Sequence, residues 1–316
     1  MDYQLNEDQA ALVAAVQAIL RDHDSVPQSA RLDFCHFNGD LQHLLSEGGF
    51  LDAGRDLGPL EAALVVFEAA RAPVLVEAGA SALVVPQVLP GEGLAGPVAL
   101  VTGDDLGKAH RNLPIARTAL VDLGDDVAVV ELAPGDVVPV ESILAYPYGR
   151  FAVPPDLSRA RRLAGAGPAL RQWWRVALAT EFAGAAEAAT VFTVDYVKQR
   201  HVFGKPVGTF QAVQHRLAQC HQIAMGVRYL AFRAAWSGQA RDADIAVCYA
   251  QAHAQKLIFD LHQFNGAMGV TNEHLLHFWT YRLRALQAEA GGAHGAALRI
   301  AGHLWGGGPA LRAAEV

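Results

Sequence analysis

The feature that most restricts the fold is the second half of the chain. Long helical patterns follow one another there at residues 169–199, 210–237, 243–265 and, more weakly, 274–305. Gly204, Pro206 and Gly208 separate the first two and Gly238 the next two, since Gly and Pro interrupt helices most effectively. Four helices of this length on short connections pack as an antiparallel bundle. A composition 52% hydrophobic and 18% charged, with many Ala and Leu residues, suits close helix packing and argues against disorder.

The first 83 residues read as a smaller helical unit. Asn6 with Gln9 makes a capping-box-like start, after which Leu12, Val16, Ile19 and Leu20 recur on one helical face. Helical segments follow near 41–46 and 60–71, the second opened by Pro59 at a favoured first-turn position. Residues 84–158 have another texture. Val-rich runs at 98–102, 118–123 and 127–132 read as strands, separated by Pro, Gly and Asp and including the turn Gly124-Asp125. The stretch is too short for a deep core of its own, so it should lean on the helices. The expected fold is mainly α: an N-terminal helical domain (1–83), a reduced middle β domain (84–158) and a C-terminal helical bundle domain (159–316). Helices, strands, then helices is not the order of a βαβ dinucleotide fold.

Net charge is −7 with no run of Lys or Arg, so the electrostatic footprint of a nucleic-acid or anionic-membrane binder is missing. Cys35, Cys220 and Cys248 are too widely spaced for a disulfide framework or a zinc site. His253, His262, His274 and His277 lack metal-ligand spacing and read as core or interface residues, so no metal is expected. Trp173, Trp174 and Trp236 read as core aromatics. With no signal-peptide pattern and no apolar run of membrane-spanning length, a soluble cytoplasmic protein is expected.

Two segments carry chemistry. The first runs from Tyr196 through Arg200, Phe203, Gly204, Pro206, Gly208 and Phe210 to Gln211, Gln214 and His215. A helix end and a Gly/Pro turn explain the glycines and Arg200, a cation at the negative end of a helix dipole. They do not explain Phe203 or the crowded polar residues after it. The segment resembles the acyl-CoA dehydrogenase pattern of Tyr, four residues, Arg, two residues, Phe-Gly and a Gln-rich helix. The resemblance implies that Arg200 reaches the diphosphate, and Phe203 the adenosine half, of FAD bound to a neighbouring subunit. A guanidinium forks onto phosphate oxygens and an aromatic ring supplies a stacking face.

About sixty residues later, Gln263 to His274 resembles the family's Gln-x-x-Gly-Gly-x-Gly turn. By that resemblance Gln263 bonds the diphosphate or adenosine region, while Gly266 and Ala267 let backbone approach it. Ala267 replaces the usual second Gly, which requires a negative φ there. Arg175 stands where the family often has an Arg, Ala183, Gly184, Ala185 and Ala186 supply a small packing face, and Glu181 reads as structural.

The family's reaction removes an α-proton with a Glu as the β-hydrogen leaves as hydride to the flavin. Ala290 occupies the usual position of that Glu, and Trp174 the second family position, near the start of the long helix. Glu289 is one residue from the usual place and is the remaining candidate, although one residue turns a side chain by about 100°. The middle domain also lacks the Thr/Ser-rich strand pattern that cradles the reactive end of flavin.

These absences resemble the shortened subunits of actinobacterial relatives in sterol degradation, which pair with a full-length acyl-CoA dehydrogenase subunit in a two-plus-two heterotetramer. The expected function is thus a subunit of an FAD-dependent enzyme that desaturates an acyl-CoA thioester, with flavin contacts given in trans and the base on the partner. A flavin monooxygenase of the same fold and a non-catalytic scaffold are the alternatives.

Overall fold

The computed structural model describes residues 3–23 and 25–306. Helix α1 (Glu7–His23) opens with a reciprocal capping box, Gln9 N–H donating to Asn6 Oδ1 at 2.8 Å and Asn6 N–H to Gln9 Oε1 at 3.2 Å. Asn38 caps α2 (Gly39–Glu47) by accepting from Leu41 N–H. Short α3 (Ala53–Asp56) leads to α4 (Pro59–Arg71), whose residues from Ala62 to Ala69 are all buried. A π-helical turn (Gly79–Val84) and α5 (Val85–Val88) close this part of the chain.

Seven strands follow: β1 (Val98–Thr102), β2 (His110–Arg111), β3 (Thr118–Asp122), β4 (Val127–Glu131), β5 (Val137–Val140), β6 (Tyr148–Phe151) and β7 (Arg161–Leu163). One sheet has the order β1-β3-β4-β7. There β1 and β3 are parallel, with Val98 opposite Thr118, and the other pairs are antiparallel, with Thr118 opposite Glu131. The second sheet, β2-β6-β5, is antiparallel. Side-chain alternation divides the first sheet's two faces. Val98, Leu100, Leu120 and Val129 join the main helical core, whereas Ala99, Val101, Ala119 and Val121 pack with Leu113 and Phe151 in a second cluster. The sheet thus leans on the helices, as its length required.

The C-terminal part is built on α6 (Gly167–Gln199), followed by a hairpin of β8 (His201–Val202) and β9 (Lys205–Pro206), then α7 (Gln211–Ser237), α8 (Ala240–Asn265), α9 (Leu276–Ala288) and α10 (Gly292–Trp305). Helix α6 packs on α7, α8 and α9. On its other side Gly184 lets it approach α4: an added Cβ would run into the Phe67 carbonyl oxygen and come within 2.8 Å of Ala70 Cβ. The fourth helical pattern is two helices rather than one, because Ala290 (φ 52°), Gly291 (φ 82°) and Gly292 (φ 63°) turn the chain between α9 and α10. Of the three tryptophans, Trp173 is core, Trp174 is half-buried and Trp236 is 57% exposed at the end of α7, so the core reading fails for Trp236.

Candidate functional site

Two groups of residues lie at different places along α6. The first is at its C-terminal end. Arg200 follows the last helical turn, its N–H bonded to the Tyr196 carbonyl and its own carbonyl accepting from Val207 N–H at 2.8 Å. This closes the β8–β9 hairpin, in which His201 faces Pro206 and Val202 faces Lys205. The two linking residues, Phe203 (φ 53°) and Gly204 (φ 79°), are both left-handed, the backbone that matches a two-residue hairpin. That conformation costs Phe203 about 1 kcal/mol or more, and its ring is 93% exposed. Arg200 is exposed too, and among the described residues its guanidinium has no ion-pair or hydrogen-bond partner. Gln214 closes the new helix onto the turn by donating to the Gly208 carbonyl at 2.9 Å.

The end of α8 is carried to the same place. Asn265 Nδ2 donates to Thr193 Oγ1 at 2.9 Å, and the His274 ring lies edge-on to Phe192 and Tyr196 at 4.8 and 5.2 Å. Thr193 precedes Arg200 by seven residues, about 10 Å along the helix axis. The turn after α8, Gly266–Val270, therefore begins one residue beyond a contact with the last turns of α6. Gly266 has φ 58° and ψ −143°, a region only Gly adopts freely, and an added Cβ would meet nothing within 4 Å. Ala267 keeps a negative φ, and Gln263, Gly266 and Ala267 are exposed. An open backbone cradle, an unpaired guanidinium and a bare aromatic ring suit the diphosphate–adenosine end of a dinucleotide.

The second group lines a cavity of ≈ 330 Å³ between β1, β2, α6 and the turn before α10, and its walls include Trp174, Glu181, Glu289 and Ala290. Arg111 on β2 crosses this cavity. Its Nη1 donates to Glu181 Oε2 at 2.5 Å and its Nε lies 2.7 Å from Glu289 Oε1. Tyr146 O–H also donates to Glu181, at 2.8 Å, and Trp174 Nε1 donates to Glu289 Oε2 at 3.2 Å. Glu289 Oε1 is buried without an aligned hydrogen bond, because the Arg111 contact is close but off-axis. Burial raises the Glu289 pKa against the pull of Arg111, which is shared with Glu181. Burial also opposes the charge on Arg111, yet its two carboxylates outweigh it and hold the guanidinium charged. Ala290 stands at the same turn and has no group to accept a proton.

The two remaining residues of the motif reading serve packing. Arg175 pairs with buried Asp244 at 3.0 Å, and Asp244 also takes Arg299 and His303, which ties α6 and α10 to α8. Glu181 is held by Arg111 and Tyr146. Arg111 and Tyr146 escaped the sequence reading because nothing local to either marks a partner 70 or 35 residues away.

Residues 171–303 match the acyl-CoA dehydrogenase C-terminal domain. This part of the chain is thus an acyl-CoA dehydrogenase C-terminal domain. Acyl-CoA dehydrogenase IpdE2 of Mycobacterium tuberculosis is 27% identical over 245 residues, covering 65% of this chain and 77% of that protein. A chain of the ChsE4-ChsE5 complex from M. tuberculosis superimposes with a TM-score of 0.78 at 21% identity, covering 96% of this chain and 99% of the other. A chain of the Tcur3481-Tcur3483 steroid ACAD G363A variant gives 0.75 at 21%, covering 93% and 97%. The acyl-CoA dehydrogenases are FAD-binding flavoproteins, and the FAD complex of PigA shares this fold with a TM-score of 0.76 at 17% identity. Among the described residues no helix is long and apolar enough to cross a membrane.

Proposed function

We propose that this chain is a shortened, cytoplasmic subunit of an FAD-dependent acyl-CoA dehydrogenase, paired two-plus-two with a full-length subunit. It gives Arg200, Phe203, Gln263, Gly266 and Ala267 to an FAD site shared between the chains. The observation that carries this reading is Phe203, a ring 93% exposed at a left-handed residue beside the unpaired Arg200. A chain gains nothing by holding an aromatic side chain in that state for itself, whereas a ring stacked on a ligand or a second subunit recovers its buried area.

Arg200 would neutralise the diphosphate, Gln263 would donate to it, and the Gly266–Ala267 backbone would lie against the adenosine half. FAD, when bound, supplies the hydride acceptor. The α-proton of the acyl-CoA thioester would pass to a carboxylate of the partner, since Ala290 and Trp174 cannot take it and Glu289 is engaged by Arg111 and Trp174. The division at 83 and 158 fits this role, the reduced middle domain leaving the reactive end of flavin to the partner. A steroid-derived acyl group is the substrate class favoured by the likeness to a steroid ACAD chain.

Co-expression of this chain with full-length family subunits from the same genome tests the reading. The expected result is a yellow, active complex from one pairing, a lone chain with little FAD, and loss of FAD from the complex on Arg200→Ala. Tight FAD binding and turnover by the lone chain would overturn it, and unchanged FAD content in the Arg200→Ala complex would leave only a scaffold.

A further inference from the structure

The turn that carries Gly266 and Ala267 is fastened to α8 at both ends, and one fastening is a histidine that neither motif requires. Gly269 packs back on the helix so closely that an added Cβ would lie 2.8 Å from Asn265 Cβ and 3.1 Å from the His262 carbonyl oxygen. Asn265 anchors the near end through Thr193 and the Leu261 carbonyl. At the far end the Gly269 carbonyl faces His262 Nδ1 at 2.7 Å. A carbonyl only accepts, so Nδ1 carries the proton. The other ring nitrogen, Nε2, faces Thr280 Oγ1 on α9 at 3.0 Å, a hydroxyl whose single proton is shared between Nε2 and the Leu276 carbonyl at 3.1 Å. Burial lowers the His262 pKa, which favours the neutral form. The ring is thereby fixed between α8, the turn and α9, with its one N–H aimed at the turn.

We propose that His262 is a positioning residue for FAD. It precedes Gln263 directly, so the helix that presents Gln263 outward also holds the carbonyl of the turn on its inner side, and the exposed backbone of Gly266 and Ala267 is set by the Nδ1–H bond to Gly269. The inference rests on the reading of this end of the chain as a flavin-contact surface. A short side chain with a donor at the δ position preserves the arrangement, which makes His262→Asn the conservative variant and His262→Ala the deletion.

The test uses the assembled complex, with the dissociation constant for FAD measured by titrating FAD into flavin-stripped complex and subunit assembly followed by size-exclusion chromatography. His262→Ala is expected to weaken FAD binding about tenfold, the loss of one buried hydrogen bond of about 1.4 kcal/mol. His262→Asn is expected to restore affinity to within about threefold of the unmodified complex, with assembly intact in both. Arg200→Ala runs alongside as the control for the underlying reading. If His262→Ala binds FAD normally while Arg200→Ala does not, the positioning role is wrong and the flavin surface stands. If both bind FAD normally, the flavin surface itself falls. If Asn fails as badly as Ala, or neither variant assembles, His262 serves packing alone and the proposal is overturned.

Discussion

Trp174 donates its indole N–H to Glu289 Oε2 at 3.2 Å across 115 residues of chain. Trp174 and Ala290, the two positions that the family resemblance assigns to a base, thus line one cavity, the first filled by an indole and the second one residue from the carboxylate. The bond restrains Glu289 rather than freeing it. Trp174→Phe keeps the ring and removes the donor, so it should cost about 1 kcal/mol. It should also raise the Glu289 pKa further, since the Trp174 bond favours the ionised form. Urea unfolding of the purified chain at neutral pH checks the first, and infrared titration of the carboxyl band in Trp174→Phe against Glu289→Gln checks the second.

Arg111 is the keystone of the same cavity, with two largely buried carboxylates on one guanidinium. Removing it leaves both without a cation in a low-dielectric space, and breaking a buried pair from one side typically costs about 3–5 kcal/mol. Arg111→Met should therefore destabilise the chain by roughly that amount. Adding Glu289→Gln should recover part of the loss, because one stranded charge goes with it. Chemical denaturation of the single and double variants measures both steps, and equal stabilities would mean that Arg111 holds only Glu181.

The architecture was legible wherever one segment contained its own signal. The capping box at Asn6 and Gln9, Pro59 at the head of α4, and strands β1, β3 and β4 each depend on a few neighbouring residues. Strands β2, β5, β6 and β7 are two to four residues long, too short for alternation to register. The left-handed Ala290 was hidden for another reason: nothing in Glu289-Ala290-Gly291 states which residue must take the positive φ that divides α9 from α10. At the candidate site, Arg200, Phe203 and Gln263 could be singled out in the sequence because motif spacing is local. Arg111, Tyr146 and His262 act through partners that only the fold brings near, apart from His262 and its own turn, which a residue-type reading treated as packing.

Close approach of α4 and α6 depends on Gly184. An added methyl would strike the Phe67 carbonyl oxygen, a backbone atom that cannot rotate aside. Alanine gains at most about 1 kcal/mol in helix propensity over glycine, and overpacking of a tight interface costs about 1–3 kcal/mol, so the clash wins. Gly184→Ala should lower stability by about 1–2 kcal/mol and Gly184→Val by more. Thermal and urea unfolding give the order, and a stabilised Gly184→Ala would show that the helices separate at little cost.

The acid side of the stability curve follows from histidines that burial keeps neutral. His110, His262 and His274 all have pKa values lowered from 6.5, each chiefly by burial. Just below pH 6.5 the unfolded chain then binds more protons than the native one, so stability falls as the pH drops from 6.5 toward the folded values. Glu77 and Glu289, raised from 4.5 by burial, act in the opposite sense, because the native state holds their protons longer and stability falls as the pH climbs through their folded values. The two effects overlap, so a single curve does not separate them, but a variant does. His274 Nδ1 is buried without a partner, and its ring packs against Phe192 and Tyr196. His274→Phe keeps an aromatic ring there and removes the titration. Its unfolding free energy should fall less steeply than that of the unmodified chain as the pH is lowered below 6.5, while the two curves run parallel above it. Parallel curves on the acid side as well would mean that His274 protonates as readily in the fold as out of it.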